Sequence, residues 1–189
     1  MFGVPAVCDS LGSLRLRRDA RSFFQGNRFL LDALVQRVLS LVPGGPVVDL
    51  YAGVGLFGLS LAAAGAGDVT LVEGDPTSGH DLEDNARPYA DRVRVERTGV
   101  EGFLQRGAAS AAATFIVDPP RTGMSTDAVN ATVRAQPTRI VYVSCDVATL
   151  ARDARVLVDG NYVLGETSAV DLFPNTALVE TIAVFQRHA

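Results

Sequence analysis

The sequence predicts an α/β protein: an open, mostly parallel seven-stranded sheet with helices on both faces and an antiparallel pair of strands at its C-terminal end. Three observations lead there. From about residue 46 onward, short apolar runs alternate with amphipathic stretches of helical length, the pattern of successive βαβ units. Several runs are continuous in Val, Ile, Phe and Tyr, as in Thr114–Val117 and Ile140–Val143, which suits strands covered on both faces. The last two runs have no helical segment between them, so they form a hairpin rather than a crossover.

Taken in order, Met1–Ser10 carries no packing pattern. Asn27–Leu41 reads as one amphipathic helix, stopped by Pro43, Gly44 and Gly45. A strand over Pro46–Tyr51 runs through a glycine turn into a helix over Leu56–Ala64. A strand at Val69–Glu73 precedes a helix at Thr77–Tyr89, and a strand at Val93–Glu96 precedes a helix at Val100–Arg106. Gly107–Ala113 is of low complexity and reads as a solvated helix end and loop. Beyond it lie the strand Thr114–Val117, the helix Thr126–Ala135, the strand Arg139–Ser144 and the helix Val147–Val158. The closing hairpin pairs Tyr162–Ala169 with Val179–Phe185 around a loop at Asp171–Ala177.

Composition narrows the function classes. With 189 residues, 48% apolar and 20% charged, the chain suits one globular domain and not a disordered one. Cys8 and Cys145 are too few for a disulfide framework or a four-ligand zinc site, so no metal site is expected. There is no apolar run of about 18 residues and no signal-peptide pattern. A cytoplasmic monomer is therefore expected. The chain contains no lysine, which is read as coding bias, and its net charge of −4 opposes unaided coating of nucleic acid.

The glycine turn contains Gly53, Gly55 and Gly58 in a G-x-G-x-x-G spacing between strand and helix. Glycines let a ligand approach the backbone, and the helix start offers free N–H groups. Dinucleotide-binding proteins and methyltransferases share this motif, and the turn alone leaves the two evenly weighed. Glu73, closing the next strand, suits ribose hydroxyls in either case. Asp49 at the strand end tilts the reading, because a carboxylate there repels a pyrophosphate and suits a cationic ligand.

Three further segments bear on chemistry. Asp118, ahead of Pro119, Pro120, Arg121, Thr122 and Gly123, is held on rigid backbone at the carboxyl end of the sheet, where ligands bind. Cys145 stands between a strand and a helix, in Val143-Ser144-Cys145-Asp146-Val147-Ala148-Thr149-Leu150-Ala151-Arg152-Asp153, where the helix N-terminus stabilises a thiolate. Glu180 opens the final strand after Asp171, Phe173, Pro174 and Thr176. Cys8, His80 and His188 are assigned no role.

Together with Phe23-Phe24-Gln25-Gly26-Asn27, these segments resemble the RNA (uracil-5-)-methyltransferase family, which makes 5-methyluridine in tRNA and rRNA. The carrying motifs are F-F-Q-x-N, D-P-P-R-x-G, V-S-C-x-x-x-T-L-A-R-D and D-x-F-P-x-T-x-x-V-E, spread from Ser22 to about Arg187. The resemblance implies a Rossmann-like class I methyltransferase fold and S-adenosyl-L-methionine as cofactor. It implies Cys145 as the nucleophile that adds to uracil C6 and Glu180 as the base that removes the C5 proton. It places Gln25, Asp118, Tyr51, Glu73, Gly53 and Gly55 at the cofactor, with Asp49 beside them. Phe23, Phe24 and Arg121 are expected at the substrate, an RNA whose target uridine is splayed out of its stack.

Several features depart from the family pattern. Leu178 stands where a His often precedes the V-E pair, and Thr98-Gly99-Val100 stands where an Asn contacts the cofactor. The family's N-terminal β-barrel and its cysteine-ligated iron–sulfur cluster have no counterpart here. Residues 1–26 accordingly read as an N-terminal remnant and F-F-Q-x-N lead-in, and 27–189 as the methyltransferase domain. Arg15, Arg17, Arg18, Arg21 and Arg28 crowd the lead-in and suit phosphate contacts. Two rival readings are an exocyclic-amine nucleic-acid methyltransferase, since D-P-P turns occur there too, and a non-catalytic cofactor-binding module.

Overall fold

A computed structural model describes residues 6–107 and 113–188. An N-terminal hairpin, β1 (Ala6–Leu11) and β2 (Leu14–Asp19), is followed by α1 (Leu31–Ser40), β3 (Val47–Leu50) and α2 (Leu56–Ala63). Next come β4 (Val69–Glu73), α3 (Pro76–Ala86), β5 (Val93–Arg97) and α4 (Val100–Gln105). The chain ends with β6 (Thr114–Val117), α5 (Thr126–Ala135), β7 (Arg139–Ser144), α6 (Val147–Asp159), β8 (Tyr162–Val170) and β9 (Glu180–Arg187). Every strand and helix expected after residue 46 is present, with ends moved by a few residues. The Gly107–Ala113 loop falls largely outside the described residues, as do Met1–Pro5.

The seven strands from β3 onward form one sheet in the order β5-β4-β3-β6-β7-β9-β8. β3 pairs in parallel with β4 on one side and β6 on the other, while β9 runs antiparallel between β7 and β8. This is the Rossmann-like class I methyltransferase arrangement. Chain direction across the sheet reverses at β3, which opens a crevice at the carboxyl ends of β3 and β6.

Alternation along the buried strands splits the core in two. Val47, Leu71, Ile116 and Val141 face one layer, packed by α1, α2 and α3 through Leu34, Leu59 and Leu82. Their neighbours Val48, Val72, Phe115 and Tyr142 face the other, packed by α4, α5 and α6 through Phe103, Val129 and Leu157. Successive side chains point to opposite faces, so continuous apolar strands are what a doubly covered sheet needs.

Two differences from the sequence expectation have local causes. The first helix starts at Leu31 rather than Asn27, because the Asn27 carboxamide oxygen accepts the N–H groups of Phe29 (3.2 Å) and Leu30 (3.3 Å). That side chain folds the preceding residues into a turn. The second difference is the β1–β2 hairpin, turned at Gly12 with φ 53°, where no strand was expected. In β2, Leu14 and Leu16 are buried and Arg15 and Arg17 point outward. β1 buries no side chain fully, so its sequence carries no alternation to detect.

The hairpin is fastened to the site by α3. Asn85 accepts the Arg17 amide (2.9 Å) and donates to the carbonyls of Arg17 (2.9 Å) and Val54 (3.0 Å). Asp81 accepts the Asp19 amide and the Ser22 hydroxyl, both at 2.7 Å. Replacing Asn85 with Ala removes three bonds between the hairpin, α3 and the glycine turn. We expect a loss of about 3 kcal/mol in urea unfolding, each bond contributing roughly 1 kcal/mol.

Candidate active site

A cleft of about 1000 Å³ occupies the crevice at the carboxyl ends of the strands. Four sequence-distant segments meet there: Phe23–Gln25, the turn after β3, the Asp118–Thr122 turn after β6, and Cys145 with Glu180.

The turn after β3 is built by conformational necessity. Tyr51 (φ 61°), Gly53 (φ 57°) and Gly55 (φ 102°) all adopt left-handed backbone. A Cβ on Gly58 would lie 2.1 Å from Leu71 Cδ2 and 3.0 Å from Asp49 Oδ2, so only glycine lets α2 approach β4 this closely. Gly53 has open space on its Cβ side and lines the cleft, while Gly55 shapes the turn from below and does not. Glu73 braces the turn: one oxygen accepts the Gly53 amide (2.7 Å), the other the Asp75 amide (2.6 Å). Its carboxylate still faces the cleft, with lone pairs free for a diol.

Asp49 does not line the cleft as expected. It is fully buried beneath the turn, where Oδ2 accepts the Gly58 amide at 2.8 Å. Its influence on a ligand is electrostatic. Burial, joined by the charge of Glu73, pushes its carboxyl up to about 7.

Glu180 and Asp118 complete an acidic cluster. Burial holds Glu180 at about 7, and Asp118 is driven well above the ordinary carboxylate range by burial and by the charges of Glu180 and Asp49. No salt bridge reaches these three among the described residues. Gln25 Oε1, Asp49 Oδ1 and Glu180 Oε2 are likewise buried without a hydrogen-bond partner among the described residues. Unneutralised carboxylates and unpaired polar atoms gathered in one cleft mark a binding site for a cation with hydrogen-bonding groups.

The register of β7 on β9 brings the reactive pair together. Ser144 pairs with Thr181, the last pair of that ladder, so Cys145 and Glu180 are the next residues beyond it on the two segments, and both line the cleft. Cys145 is half-buried just before Asp146, whose carboxylate caps α6 by accepting the Thr149 amide (2.9 Å). The helix N-terminus does not leave the thiol acidic, as the sequence reading expected. Burial pushes it up, the Glu180 charge adds to this, and Arg121 works in the opposite direction. Arg121 is exposed at the rim beside Cys145.

The aromatic expectations divide. Phe23 is 73% exposed at the cleft mouth, free to stack on a ligand. Phe24 is half-buried against the core, with the Arg18 guanidinium 4.8 Å from its ring centre. Of the five expected phosphate-binding arginines, only Arg21 lines the cleft. Arg17, Arg18 and Arg21 pair with Asp84, Asp9 and Asp19, and Arg28 lies over Phe29. Phe173 also lines the cleft, unanticipated although it sits within the D-x-F-P-x-T block; Asn27 Nδ2 steadies that loop by donating to the Leu172 carbonyl (3.1 Å).

Among the described residues no group of three or more His, Cys, Asp or Glu is arranged to hold a metal ion. None of the described helices is long and apolar enough to cross a membrane.

Comparison with known proteins places this geometry. A family model for tRNA (uracil-5-)-methyltransferases matches residues 107–188, the stretch holding Asp118, Cys145 and Glu180. An uncharacterised RNA methyltransferase of Lactiplantibacillus plantarum is 35% identical over the whole chain, and one from Streptomyces coelicolor is 36% identical over 98% of it. The crystal structure of a Pyrococcus abyssi tRNA (uracil-54, C5)-methyltransferase in complex with S-adenosyl-L-homocysteine superposes with a TM-score of 0.83, at 32% identity over 97% of this chain. Over its whole length the chain is similar to RNA methyltransferases, and over residues 107–188 to tRNA (uracil-5-)-methyltransferases. It spans 40%, 42% and 45% of those three proteins respectively. Magnesium protoporphyrin IX methyltransferase of Synechocystis shares the fold alone, at 15% identity and a TM-score of 0.64. The fold therefore leaves the substrate open.

The raised carboxyl of Glu180 has a thermodynamic consequence. Its folded-state value of about 7 exceeds the ordinary 4.5, so the native protein retains a proton that the unfolded chain releases. That contribution to stability is complete below about pH 4.5 and is lost as pH rises through about 7. Glu180→Gln should therefore match the unsubstituted protein near pH 4 and exceed it by up to about 3 kcal/mol at pH 8. Chemical unfolding across this pH range reads the difference.

Proposed function

We propose that this protein methylates C5 of a uridine in structured RNA, tRNA or rRNA, with S-adenosyl-L-methionine as donor, Cys145 as nucleophile and Glu180 as base. The observation that carries this reading is that Cys145 and Glu180, on the segments that β7 and β9 bring together, line one acidic cleft.

The residues of the cleft fit the donor. It carries a sulfonium and an ammonium, which answer the unneutralised charge of Asp118, Glu180 and the underlying Asp49. Glu73 is placed for the ribose hydroxyls, with Gly53, Tyr51 and the unpaired Gln25 Oε1 around the remainder. When bound, S-adenosyl-L-methionine supplies an activated methyl group.

Uracil C5 is a weak nucleophile, and the protein's task is to change that. Addition of the Cys145 thiolate to C6 forms an S–C bond and moves the C5=C6 electron pair onto C5, which then accepts the methyl group. The methylated C5 still carries its proton. Glu180 removes it, the electron pair re-forms C5=C6, and the S–C6 bond breaks to return the thiolate. A base stacked within a helix cannot enter a cleft to reach a nucleophile, so the target uridine is presented unstacked, with exposed Phe23 at the mouth as a stacking surface. Arg121, beside Cys145, offsets the carboxylates that oppose thiolate formation.

Two measurements test this reading. With 5-fluorouridine RNA and the donor, the protein should form a covalent adduct through Cys145, since fluorine blocks the final elimination; Cys145→Ala should form none. Full methylation by Cys145→Ala would instead favour exocyclic-amine chemistry. Glu180→Gln should hold the S–C6 adduct on ordinary RNA and lower turnover at least about 100-fold. On the acid side, kcat/KM should rise through about pH 7, because the base must be ionised and Glu180 sits there in the free protein.

A further inference from the structure

The T-L-A-R-D half of the cysteine block takes no part in the chemistry above, yet it makes the densest polar contacts in the site. Thr149, Arg152 and Asp153 lie on one face of α6 and grip the Asp118–Met124 turn. Asp153 is almost wholly buried, and its Oδ2 accepts the Met124 amide (2.8 Å) and the Tyr142 hydroxyl (2.6 Å). Its Oδ1 accepts Nε (2.9 Å) and Nη2 (2.8 Å) of Arg152. Arg152 Nη2 also donates to the carbonyls of Thr122 (3.0 Å) and Met124 (2.9 Å), and the Thr149 hydroxyl donates to the Arg121 carbonyl (3.2 Å). Gly123, at φ 72°, closes the contact: a Cβ there would lie 2.6 Å from Arg152 Nη2 and 2.8 Å from Asp153 Oδ2.

The helix that makes this grip begins two residues after Cys145. One rigid element therefore fixes the backbone on both sides of the Arg121–Cys145 approach. We propose that Thr149, Arg152 and Asp153 are positioning residues that hold the Arg121 guanidinium beside the Cys145 thiol. The proposal deepens the reading of Cys145 as nucleophile and rests on it for its role in turnover. Its chemical content, the reactivity of the thiol, is measurable without turnover. Arg121 is the cation that works against the burial, Glu180 and Asp118 that push the thiol up. An Arg121 that swings freely in solvent would lose that effect.

The test is alkylation of Cys145 by iodoacetamide across pH, in a Cys8→Ser background so that one thiol reports. Arg121→Gln and Arg152→Gln should each slow alkylation at pH 7.5 by about tenfold, a shift of about one pKa unit. The double variant should be no slower than either single, because both act through one contact. Unchanged alkylation in a folded Arg152→Gln protein overturns the proposal, as does an additive double variant. Should Arg152→Gln fail to fold, Thr149→Val removes only the hydroxyl's bonds to the carbonyls of Arg121 and Asp146. It should slow alkylation by about two- to threefold, and an unchanged rate there overturns the proposal equally. Adduct formation with 5-fluorouridine RNA, run alongside, separates the two readings. A protein that forms no adduct but responds to these substitutions in alkylation fails as a uracil methyltransferase and keeps its positioning device.

Discussion

Repulsion among buried carboxylates is the constraint around which this molecule is arranged. Asp49, Asp118 and Glu180 stand at the carboxyl end of one sheet with no salt bridge among the described residues, each pushed upward by burial. Such a cluster weakens the fold at neutral pH, and proteins retain buried charge of one sign chiefly where a ligand of the other sign completes it. The elements nearby limit the damage. The Gly58 amide takes one oxygen of Asp49, and the Gly53 and Asp75 amides take Glu73. Asp153, on α6, is fully satisfied by Tyr142, Met124 and Arg152. The difference between satisfied and unsatisfied acids separates support from function.

The same constraint explains the reactivity assigned to Cys145. A nucleophile beside a base is ordinarily aided by it, but a thiol beside a carboxylate is hindered while that carboxylate is charged. The arrangement suits a reaction in which the two groups act at opposite ends of the sequence, addition first and proton removal last. Arg121 supplies the compensation at the first step, and a cationic ligand in the cleft supplies more.

How much of this was legible in the sequence depended on whether the signal was local. The strands from Val47 onward, their doubly covered character and the C-terminal hairpin followed from runs of Val and Ile and from the missing helix before β9. The site residues were legible because four motifs converge on one end of the sheet. What escaped was non-local. The β1–β2 hairpin is held by Asn85 and Asp81, 62 to 68 positions away, and its own strands offer only Leu14 and Leu16 as a buried apolar face. Asp49 was placed facing the ligand because a strand-end acid before a glycine turn has two possible targets. The steric contact of Gly58 with Leu71 and Asp49 decides between them, and no spacing rule encodes it. The acidity of Cys145 was misjudged for the same reason: a helix N-terminus is visible in sequence, whereas Glu180, 35 positions later, acts only once β9 has paired.

That pairing gives the last strand a role in the history of the chain as well as in its final form. β8 is hydrogen-bonded to the main sheet solely through β9, so it cannot dock until the residues that follow it have inserted against β7. Cys145, just after β7, precedes Glu180 by 35 positions in the chain. The thiol is then joined by Glu180 only when the C-terminal strand closes the sheet, a long-range step of the kind that slows folding. Pairing of β9 thus does two things at once: it joins β8 to the sheet and brings Glu180 to the cleft that holds Cys145.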